Sequence, residues 1–429
     1  MRIVKKVNLE ELLEKGVIDS TTAGKIWTYY RQKEEEAPNR LGLILSILGA
    51  SLVGLGIILI VAHNWDNLGR TLKTVLAFIP LLIGQGACWY ALRNQSESTA
   101  WREGAATFLF FAVGICIAMI SQIYNIQGEL GSFLLTWMLL VFPLIYLMPS
   151  SVVALLYTGG VTWYGTNCGY VNGHEPYLYW GLLAAVLPFY YQLLKNRPES
   201  NSFNYLSWAI ALSVLVCLGL WSDEADNLMW IAYVALLSIY FLIGIGPRFR
   251  HKRSVSNPFL LIGLLGTIAL FLGFTFYDCW EEIVRNRIPF SSIFRQPEFW
   301  VATLLTLGSI NLLGQRRPWE NFLAISPVPL SILLFIPLYL TGGYAPGISM
   351  IISNLFVLGV GIFYIYLGNE YQRLSLLNLG LLTITALIIC RFFDMEWSFV
   401  VRGVVFVLLG ISFFIANYQL LKRKRGKTG

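Results

Sequence analysis

The sequence predicts an all-α protein, a polytopic bundle of about fourteen transmembrane helices that follows a short cytoplasmic helical hairpin. Composition is the first observation, because 56% of the 429 residues are hydrophobic and only 13% are charged. In soluble domains about a quarter of the residues are charged. The second observation is that apolar stretches of membrane-spanning length recur from residue 41 onward. A helix of about 20 residues crosses a hydrocarbon core of about 30 Å.

The N-terminal segment, residues 1–40, is the first element. Its stretch NLEELLEKGVIDSTTAGKIWTYYRQKEEE predicts two short helices, of which Gly16 ends the first and Ser20 or Thr21 caps the second. We expect no signal peptide, so the first span acts as an uncleaved insertion signal. We interpret the segment as a cytoplasmic amphipathic hairpin. The alternative is a module that docks a partner or senses a signal.

Residues 41–420 hold the predicted membrane domain. Spans four and five are joined only by MPSS, so they form either a tight hairpin or a re-entrant pair, and the count lies between about 12 and 14. The predicted spans are 41–62, 74–92, 104–124, 132–148, 151–168, 177–194, 204–221, 227–246, 258–276, 299–314, 322–341, 347–367, 374–391 and 399–420.

Basic residues are distributed unevenly between alternate loops. With the N-terminus in the cytoplasm, the cytoplasmic segments hold 24 of the 31 lysines and arginines, including GPRFRHKR and the basic tail 421–429. The acidic loop WSDEADN falls on the other side. By the positive-inside rule, we expect both termini of a plasma (inner) membrane protein to be cytoplasmic. The net charge of +7 is therefore assigned to membrane orientation and lipid contact, not to nucleic acid.

The first predicted span carries small residues at every fourth position, which places them in a line on one helix face: Gly42, Ser46, Ala50 and Gly54. Small residues let helix backbones approach closely in a membrane, where lipid offers no hydrophobic drive for association. We expect this stripe to pack against another helix of the same chain, with a contact between subunits as the alternative.

A polar segment, VAHNWDNLGRTLK, separates the first two spans at the outer surface. Asp66 suits the N-cap of the second span, and two cations follow it on the side that is otherwise poor in them. The end of span three, SQIYNIQGELG, brings more polar groups to this surface, where the Gln122 amide needs a partner. Either these residues only cap helices, or they form an outer site for an anionic or sugar-like ligand. The candidates are Asn64, Asp66, Arg70, Lys73, Gln122, Tyr124 and Asn125.

A second polar cluster is predicted at the outer ends of the last two spans, and it consists of Arg391, Asp394 and Arg402. Arg391 and Asp394 are three positions apart, so they meet if the helix continues that far. Arg402 lies inside span fourteen, where it either pairs within the bundle or extends to the surface.

Span eleven carries three prolines, which remove backbone donors and predict a kinked or broken helix. Broken helices often line binding sites in transporters, but prolines are also frequent in ordinary membrane helices. The prolines are Pro327, Pro329 and Pro337.

The absence of known motifs limits the chemistry. We predict no catalytic residue, metal site or cofactor, because the sequence has no Walker A loop, HExxH or GxSxG, and its three histidines fall on two sides of the membrane. No carboxylate lies near the middle of a span, which counts against a proton- or ion-coupled pump. Only Cys168 and Cys279 are placed where an oxidising compartment would let them pair.

Three stretches carry a resemblance to a known family. NLEELLEKGVIDSTTAGKI is a charged amphipathic start, LGLILSILGASLVGLGIILIVAHNWDNLGRTLK joins a glycine-rich span to an Asn-Trp-Asp motif and a lysine, and SQIYNIQGELGSFLLTWMLL holds a Gln-Ile-Tyr element. Over about residues 8–165 the chain resembles the bacterial family of predicted membrane proteins catalogued as domain of unknown function 2157. The resemblance implies no reaction. It implies one partner, a small membrane-anchored protein with a Gly-Asp-Tyr signature that is often encoded beside family members.

Two functions agree with these observations. The first is a carrier or flippase-like transporter of an envelope solute or lipid, with the outer polar ends of spans 1–3 and 13–14 in its pathway. The alternative is a non-transporting envelope scaffold or sensor that binds a partner protein through the same polar ends. An envelope enzyme that acts on a lipid-linked substrate ranks third.

Overall fold

A computed structural model describes residues 15–16, 19–35, 68–171, 177–222, 226–285, 290–315, 326–342 and 345–394, with single positions between 400 and 414. All regular elements in these ranges are helical, which confirms the all-α prediction for the described part of the chain. The chain divides into two compact units, residues 1–76 and residues 77–429.

The described α-helices are numbered here in chain order. They are α1 (Ser20–Glu35), α2 (Arg70–Asn94), α3 (Thr99–Ile123), α4 (Leu130–Val141), α5 (Leu144–Leu147), α6 (Ser151–Thr166), α7 (Tyr177–Ala184), α8 (Leu187–Asn196), α9 (Asn201–Cys217), α10 (Met229–Ile245), α11 (Pro258–Gly273), α12 (Tyr277–Arg285), α13 (Phe290–Ile293), α14 (Pro297–Gly314), α15 (Ser331–Gly342), α16 (Pro346–Glu370) and α17 (Leu374–Asp394).

Seven helical segments of the described chain are long and apolar enough to cross a membrane, and an eighth is reached if α11 and α12 count as one bent span. The seven are Arg70–Asn94, Thr99–Ile123, Leu130–Leu147, Tyr177–Asn196, Asn201–Trp221, Pro346–Glu370 and Leu374–Phe392. The prediction of a membrane protein with several apolar helices is therefore confirmed, without the full count of fourteen.

Each of the predicted spans two to thirteen overlaps one described helix or two consecutive ones, although the first residues of span eleven, 322–325, lie outside the described part of the chain. Predicted span one lies outside the described residues, and so do most of predicted span fourteen and the tail 421–429. The predicted helix-packing residues Gly42, Ser46, Ala50 and Gly54 are therefore not described, and their packing role stays a prediction.

In the N-terminal unit, the start of α1 corrects one prediction. Gly16 has a left-handed backbone with φ of +65°, as expected of a glycine that ends a helix. The predicted cap was wrong, because Asp19 fills that position and accepts the Thr22 N–H at 3.2 Å. An aspartate binds the exposed N–H groups of a helix start with a full charge. Hydrogen bonds from the Thr22 side chain and backbone lower the pKa of Asp19.

Glu103, the fifth residue of α3, holds the start of α6. Its carboxylate accepts the Ser150 hydroxyl and the N–H groups of Ser151 and Val152, the latter at 2.9 and 3.1 Å. The Ser150 hydroxyl accepts the Val153 N–H at 3.1 Å. A helix start carries unpaired N–H groups and partial positive charge, so a carboxylate caps it well. The predicted tight connection MPSS is thus a capped helix start.

Glycines bring together the helices of two hairpins, α10–α11 and α16–α17. In the first hairpin, a Cβ added at Gly244 or Gly263 would collide with the backbone of the facing helix. In the second, a Cβ at Gly368 or Gly380 would collide with the facing backbone in the same way, and one at Gly361 would collide with the Ile384 side chain. Such close approach gives van der Waals contact that replaces the missing hydrophobic drive between membrane helices.

Loop contacts define two ends of the unit of residues 77–429. Lys252 donates to the Pro198 carbonyl at 2.5 Å and to Asn204 Oδ1 at 2.6 Å, so the cation-rich loop 246–257 is a neighbour of loop 197–200. Burial lowers the pKa of Lys252. Helices α6 and α9 begin at this end and run parallel, with Thr162 bonded to Ser213 at 2.6 Å. We call the end with loops 95–98, 148–150, 197–200 and 246–257 the basic end, and the end with loops 124–129, 167–171 and 274–276 the Thr275 end.

The disulfide between Cys168 and Cys279, which the sequence left open, is not formed in the structure. Both are free thiols, Cys168 in the π-helical turn Asn167–Val171 and Cys279 on α12.

Candidate functional site

The structure describes five of the seven residues of the first predicted site. Arg70 and Lys73 lie in the first turn of α2, within the unit of residues 1–76. Gln122 is exposed in the last turn of α3, Tyr124 follows that helix, and Asn125 has a left-handed backbone with φ of 52°. These residues therefore lie at helix ends, as the sequence predicts.

Two other members of the first predicted site, Asn64 and Asp66, lie outside the described residues. The expected partner of the Gln122 amide and the binding role of this site therefore stay predictions.

The second predicted cluster is described at Arg391. This half-buried residue lies in the last turn of α17, where its guanidinium donates to Thr275 Oγ1 at 3.2 Å and lies 4.7 Å from the centre of the Phe276 ring. Helix α17 continues to Asp394, so the helical spacing expected for that pair is present. The Asp394 side chain and Arg402 lie outside the described residues.

Arg391 takes part in closing the end of α11. The chain bends by 82° between α11 and α12, and a bend of this kind frees carbonyl groups. Thr275 Oγ1 donates to the Leu272 carbonyl at 2.6 Å, and Trp280 Nε1 donates to the Phe274 carbonyl at 2.8 Å. Asn354 Nδ2 donates to the Thr275 carbonyl at 3.2 Å. Arg391 therefore helps to cap a helix end, where a cation is also favoured by the helix dipole.

Helix α15 and the described residues just before it, from Ser326 onward, start inside the bundle rather than at its end. Ser326 pairs with the Tyr364 hydroxyl at 2.8 Å. Tyr364 lies six residues, or about 9 Å, before α16 ends at the basic end. Val328 is fully buried and packs in the same apolar core as Tyr364. This start is therefore surrounded by protein at membrane depth.

Prolines make this buried helix start tolerable. The first N–H groups of a helix lack partners, and burying them is costly, but proline has no N–H. Between Pro327 and Pro329, the Val328 N–H donates to the Ser326 hydroxyl at 3.2 Å, and the Leu330 N–H then donates to the Pro327 carbonyl at 2.9 Å. The predicted break thus takes the form of a helix start, and Pro337 lies within α15.

Beside this start, three helical segments meet through hydroxyl groups. Ser309 of α14 donates to Ser238 of α10 at 2.8 Å, and Ser238 donates to the Pro329 carbonyl at 2.9 Å. Both serines are fully buried. Ser238 lies seven residues before the end of α10, and Ser309 lies five residues before the end of α14. Both serines are therefore about 8 to 10 Å inside the basic end.

Two more hydroxyls nearby have no hydrogen-bond partner among the described residues. They are Ser331 Oγ, fully buried at the start of α15, and Thr306 Oγ1, one turn before Ser309 on α14. Hydroxyls in helices commonly donate to the carbonyl one turn back, as Thr267 does to Gly263 at 2.7 Å. A buried hydroxyl without a partner costs about 1 to 3 kcal/mol. We call Ser238, Thr306, Ser309 and Ser331 the hydroxyl layer.

Sequence reasoning missed the hydroxyl layer because it singled out charges and amides. Single hydroxyls are common in apolar helices, and which of them converge depends on which helices pack together. The available signal was the position of Ser331 two residues after Pro329, at the predicted break.

Glu298 is a second residue that sequence reasoning did not select. It lies in the first turn of α14, one residue before the predicted span, and is fully buried. A carboxylate at this position suits the positive end of the helix dipole.

Comparison with known proteins supports the class of the protein. The chain has no significant match among curated proteins or among solved structures. Residues 10–154, from the N-terminal segment to the start of α6, match the model of the family described as Predicted membrane protein (DUF2157), which confirms the resemblance seen in the sequence and makes the protein a membrane protein that carries a domain of unknown function.

Proposed function

We propose that the protein is a carrier or flippase-like transporter that moves an envelope solute or lipid across the membrane. The observation that supports it is the hydroxyl layer beside the buried start of α15. Transporters build their sites from discontinuous helices, whose exposed backbone and neighbouring polar groups bind substrate at membrane depth. The Pro329 carbonyl and the hydroxyls of Ser238 and Ser309 meet beside the start of α15 and would supply such polar groups here.

The cost of the unpartnered hydroxyls also supports the proposal. Replacing Ser331 by alanine would remove a buried polar group that has no hydrogen bond, so a purely structural protein would gain stability from the change. A ligand that bonds to Ser331 and Thr306 gives these hydroxyls a partner. Residues that break a local rule are expected at functional sites.

The chemistry of the layer favours an uncharged part of the substrate. Its described side chains are hydroxyls, which donate and accept hydrogen bonds but carry no charge. A charged group at this depth needs a counter-charge or water. The substrate would therefore present hydroxyl or carbonyl groups to the layer, as a polyol, a sugar or the glycerol region of a lipid does.

We propose a topology of about fourteen spans in a bacterial inner membrane, with the N-terminal hairpin and both termini in the cytoplasm. Contacts at the basic end support the alternation of the loops, because loops predicted to be cytoplasmic lie together there. In this orientation the Thr275 end faces outward. The predicted outer residues of this unit, among them Gln122, Tyr124, Asn125 and Arg391, would then lie at the outer entry.

Flux measurements on the reconstituted protein test the carrier. Vesicles would contain either an NBD-labelled phosphatidylglycerol, whose transbilayer movement dithionite quenching reports, or trapped radiolabelled glycerol and glucose. We expect one probe to move faster with the protein than without it. Ser309→Ala should slow that movement, whereas Ser213→Ala, at a buried serine on α9, should not. Folded protein that moves neither probe class would favour the second candidate below.

The second candidate is an envelope scaffold or sensor that does not transport. The glycine contacts of α10–α11 and α16–α17 favour it, because closely packed backbones make a rigid bundle. Its proposed partner is the small membrane-anchored protein with a Gly-Asp-Tyr signature. Co-purification of that protein in detergent, lost when Arg391 and Arg70 are both replaced by alanine, would support this role. Separation of the two proteins at every detergent concentration would contradict it.

A further inference from the structure

We propose that α12 is a hinged gate that closes the hydroxyl layer from the Thr275 end. This inference rests on the proposed carrier function and adds to it how access to the site is controlled. Three features of the structure support it: a plug of aromatic rings above the layer, a hinge between α11 and α12, and a small set of hydrogen bonds that hold the hinge closed.

Aromatic rings form the plug. Phe335 lies four residues after Ser331, one turn further along α15 toward the Thr275 end. The Phe335 ring is 5.9 Å from the Trp280 ring, 4.7 Å from the Phe274 ring and 6.0 Å from the Phe271 ring, measured between centroids. Trp280 and Phe335 are fully buried. A ligand that approaches Ser331 from this end therefore meets these rings first.

Helix α12 is built to lie on a surface. It makes an angle of 82° with α11, and its apolar side buries Trp280 and Ile283 against the bundle. Its other side exposes charged residues, among them Asp278, Glu281 and Glu282. If α12 rotates about its connection to α11, it uncovers only the apolar side that carries Trp280, because its charged side is already exposed. The gate can therefore open without exposing a second apolar surface.

Three hydrogen bonds from other parts of the described bundle hold α12 and its connection in place, and we call them the latch. Two converge on Thr275, from Asn354 Nδ2 to its carbonyl and from the Arg391 guanidinium to its hydroxyl, both at 3.2 Å. The third runs from Asn227 Nδ2 to the Ile283 carbonyl at 3.4 Å, near the far end of α12. A typical net hydrogen bond changes an equilibrium by about fivefold, so loss of one latch bond should raise the open population by that factor.

Cysteine accessibility tests the gate in the full-length protein in membranes. Single cysteines are placed at Ser331, below the plug, and at Tyr277, on the exposed side of α12, in a chain whose six native cysteines are replaced by alanine or serine. A membrane-impermeant maleimide is added to right-side-out and inside-out vesicles. The labelling rates of the two cysteines are compared in whichever vesicle preparation labels the cysteine at Tyr277, because in that preparation the reagent reaches α12.

We expect the cysteine at Ser331 to react slowly in the latched protein, and about fivefold faster when Asn354→Ala or Thr275→Val is added. The rate at Tyr277 should not change. Asn378→Ala, which removes an amide from an exposed position on α17, serves as the control for both sites.

Two results would overturn the gate. One is a cysteine at Ser331 that reacts as fast as the one at Tyr277 before any latch bond is removed. The other is a rate at Ser331 that neither latch variant changes, although both variants remain monodisperse on gel filtration. Because labelling needs no transported substrate, a failure of the flux measurements would count against the carrier alone.

Discussion

At the scale of single residues, Glu103 shows how one carboxylate joins two helices. The sequence gives no local reason for this glutamate to face Ser150, which lies 47 positions later. In the structure it satisfies two backbone N–H groups and a hydroxyl at the start of α6. A charged acceptor strengthens each of these bonds. We therefore expect Glu103 to be among the largest single contributors to the stability of the described loops.

Glu103→Gln tests this contribution. The amide keeps one acceptor oxygen but loses the charge, and its N–H₂ group faces the N–H donors of α6. We expect a loss of about 1 to 3 kcal/mol in the free energy of unfolding, seen as a lower midpoint in thermal unfolding of the purified protein. Glu97→Gln, at an exposed position in loop 95–98, is the matched control. Equal shifts for the two variants would contradict the role of Glu103.

Asp19 predicts a pH dependence for α1. Its pKa is lowered in the folded state by Thr22, so the stabilising cap is present above the ordinary pKa of about 3.9 and is lost as the pH falls through the folded value. In a peptide of residues 15–35, circular dichroism should show more helix for the native sequence than for Asp19→Ala at pH 7. The difference should vanish near pH 2. A difference of the same size at both pH values would refute the cap.

Residue roles could be predicted only where the partner is near in sequence. The turn at Gly16 and the helical spacing of Arg391 and Asp394 follow from local geometry, and both were predicted. The partners of Arg391 and Glu103 come from helices far along the chain. The cap of α1 was missed for a different reason, because Asp19, Ser20 and Thr21 are all good N-cap residues and the sequence does not rank them.

At the scale of elements, glycines differ in whether they lie in a close contact between two helices. Gly368 faces the Leu377 backbone in the α16–α17 hairpin, whereas a Cβ at Gly359 on the same helix α16 would meet nothing within 4 Å. Replacement by alanine should therefore affect the stability of the protein differently at these two positions.

Gly368→Ala should destabilise the protein by about 1 to 3 kcal/mol, because the methyl group pushes two backbones apart. Gly359→Ala should leave stability unchanged or raise it by up to about 1 kcal/mol, because alanine favours a helix more than glycine does. Thermal unfolding of the two variants beside the native protein measures both effects. A larger loss for Gly359→Ala would contradict the described hairpin.

Helix positions were the best-predicted part of the fold. Long apolar runs leave little choice in a membrane, since every backbone polar group must be bonded within the segment. The form of two breaks was not predictable. Pro327 and Pro329 indicate a break but not a helix that starts beside Tyr364, and no proline marks the bend between α11 and α12.

At the scale of the whole molecule, reporter fusions test the proposed topology, whose orientation rests on the positive-inside rule. A reporter fused after Lys424 should be active if it folds only in the cytoplasm, as green fluorescent protein does, and inactive if it requires export, as alkaline phosphatase does. The same pair inserted after Arg253, in the loop 246–257, should give the same result, and a pair inserted after Glu282 on α12 the opposite one. Alkaline phosphatase activity after Lys424 would reverse the proposed orientation.

The membrane class and the match of residues 10–154 to a family model were predictable, because hydropathy and sequence motifs are properties of the chain itself. The hydroxyl layer was not, because it is assembled from α10, α14 and the start of α15, which lie up to 93 positions apart. These residues also lie beyond the family match, so the carrier proposal depends on their geometry alone.

The paired effect of Ser331→Ala on stability and on flux tests the carrier most directly. Alanine removes a buried hydroxyl that has no described partner, so the thermal midpoint of the purified protein should rise or hold. In vesicles, movement of the transported probe should fall at least fivefold, because the ligand loses a hydrogen bond at the layer. A lower thermal midpoint together with unchanged movement would contradict the account and assign Ser331 a structural role.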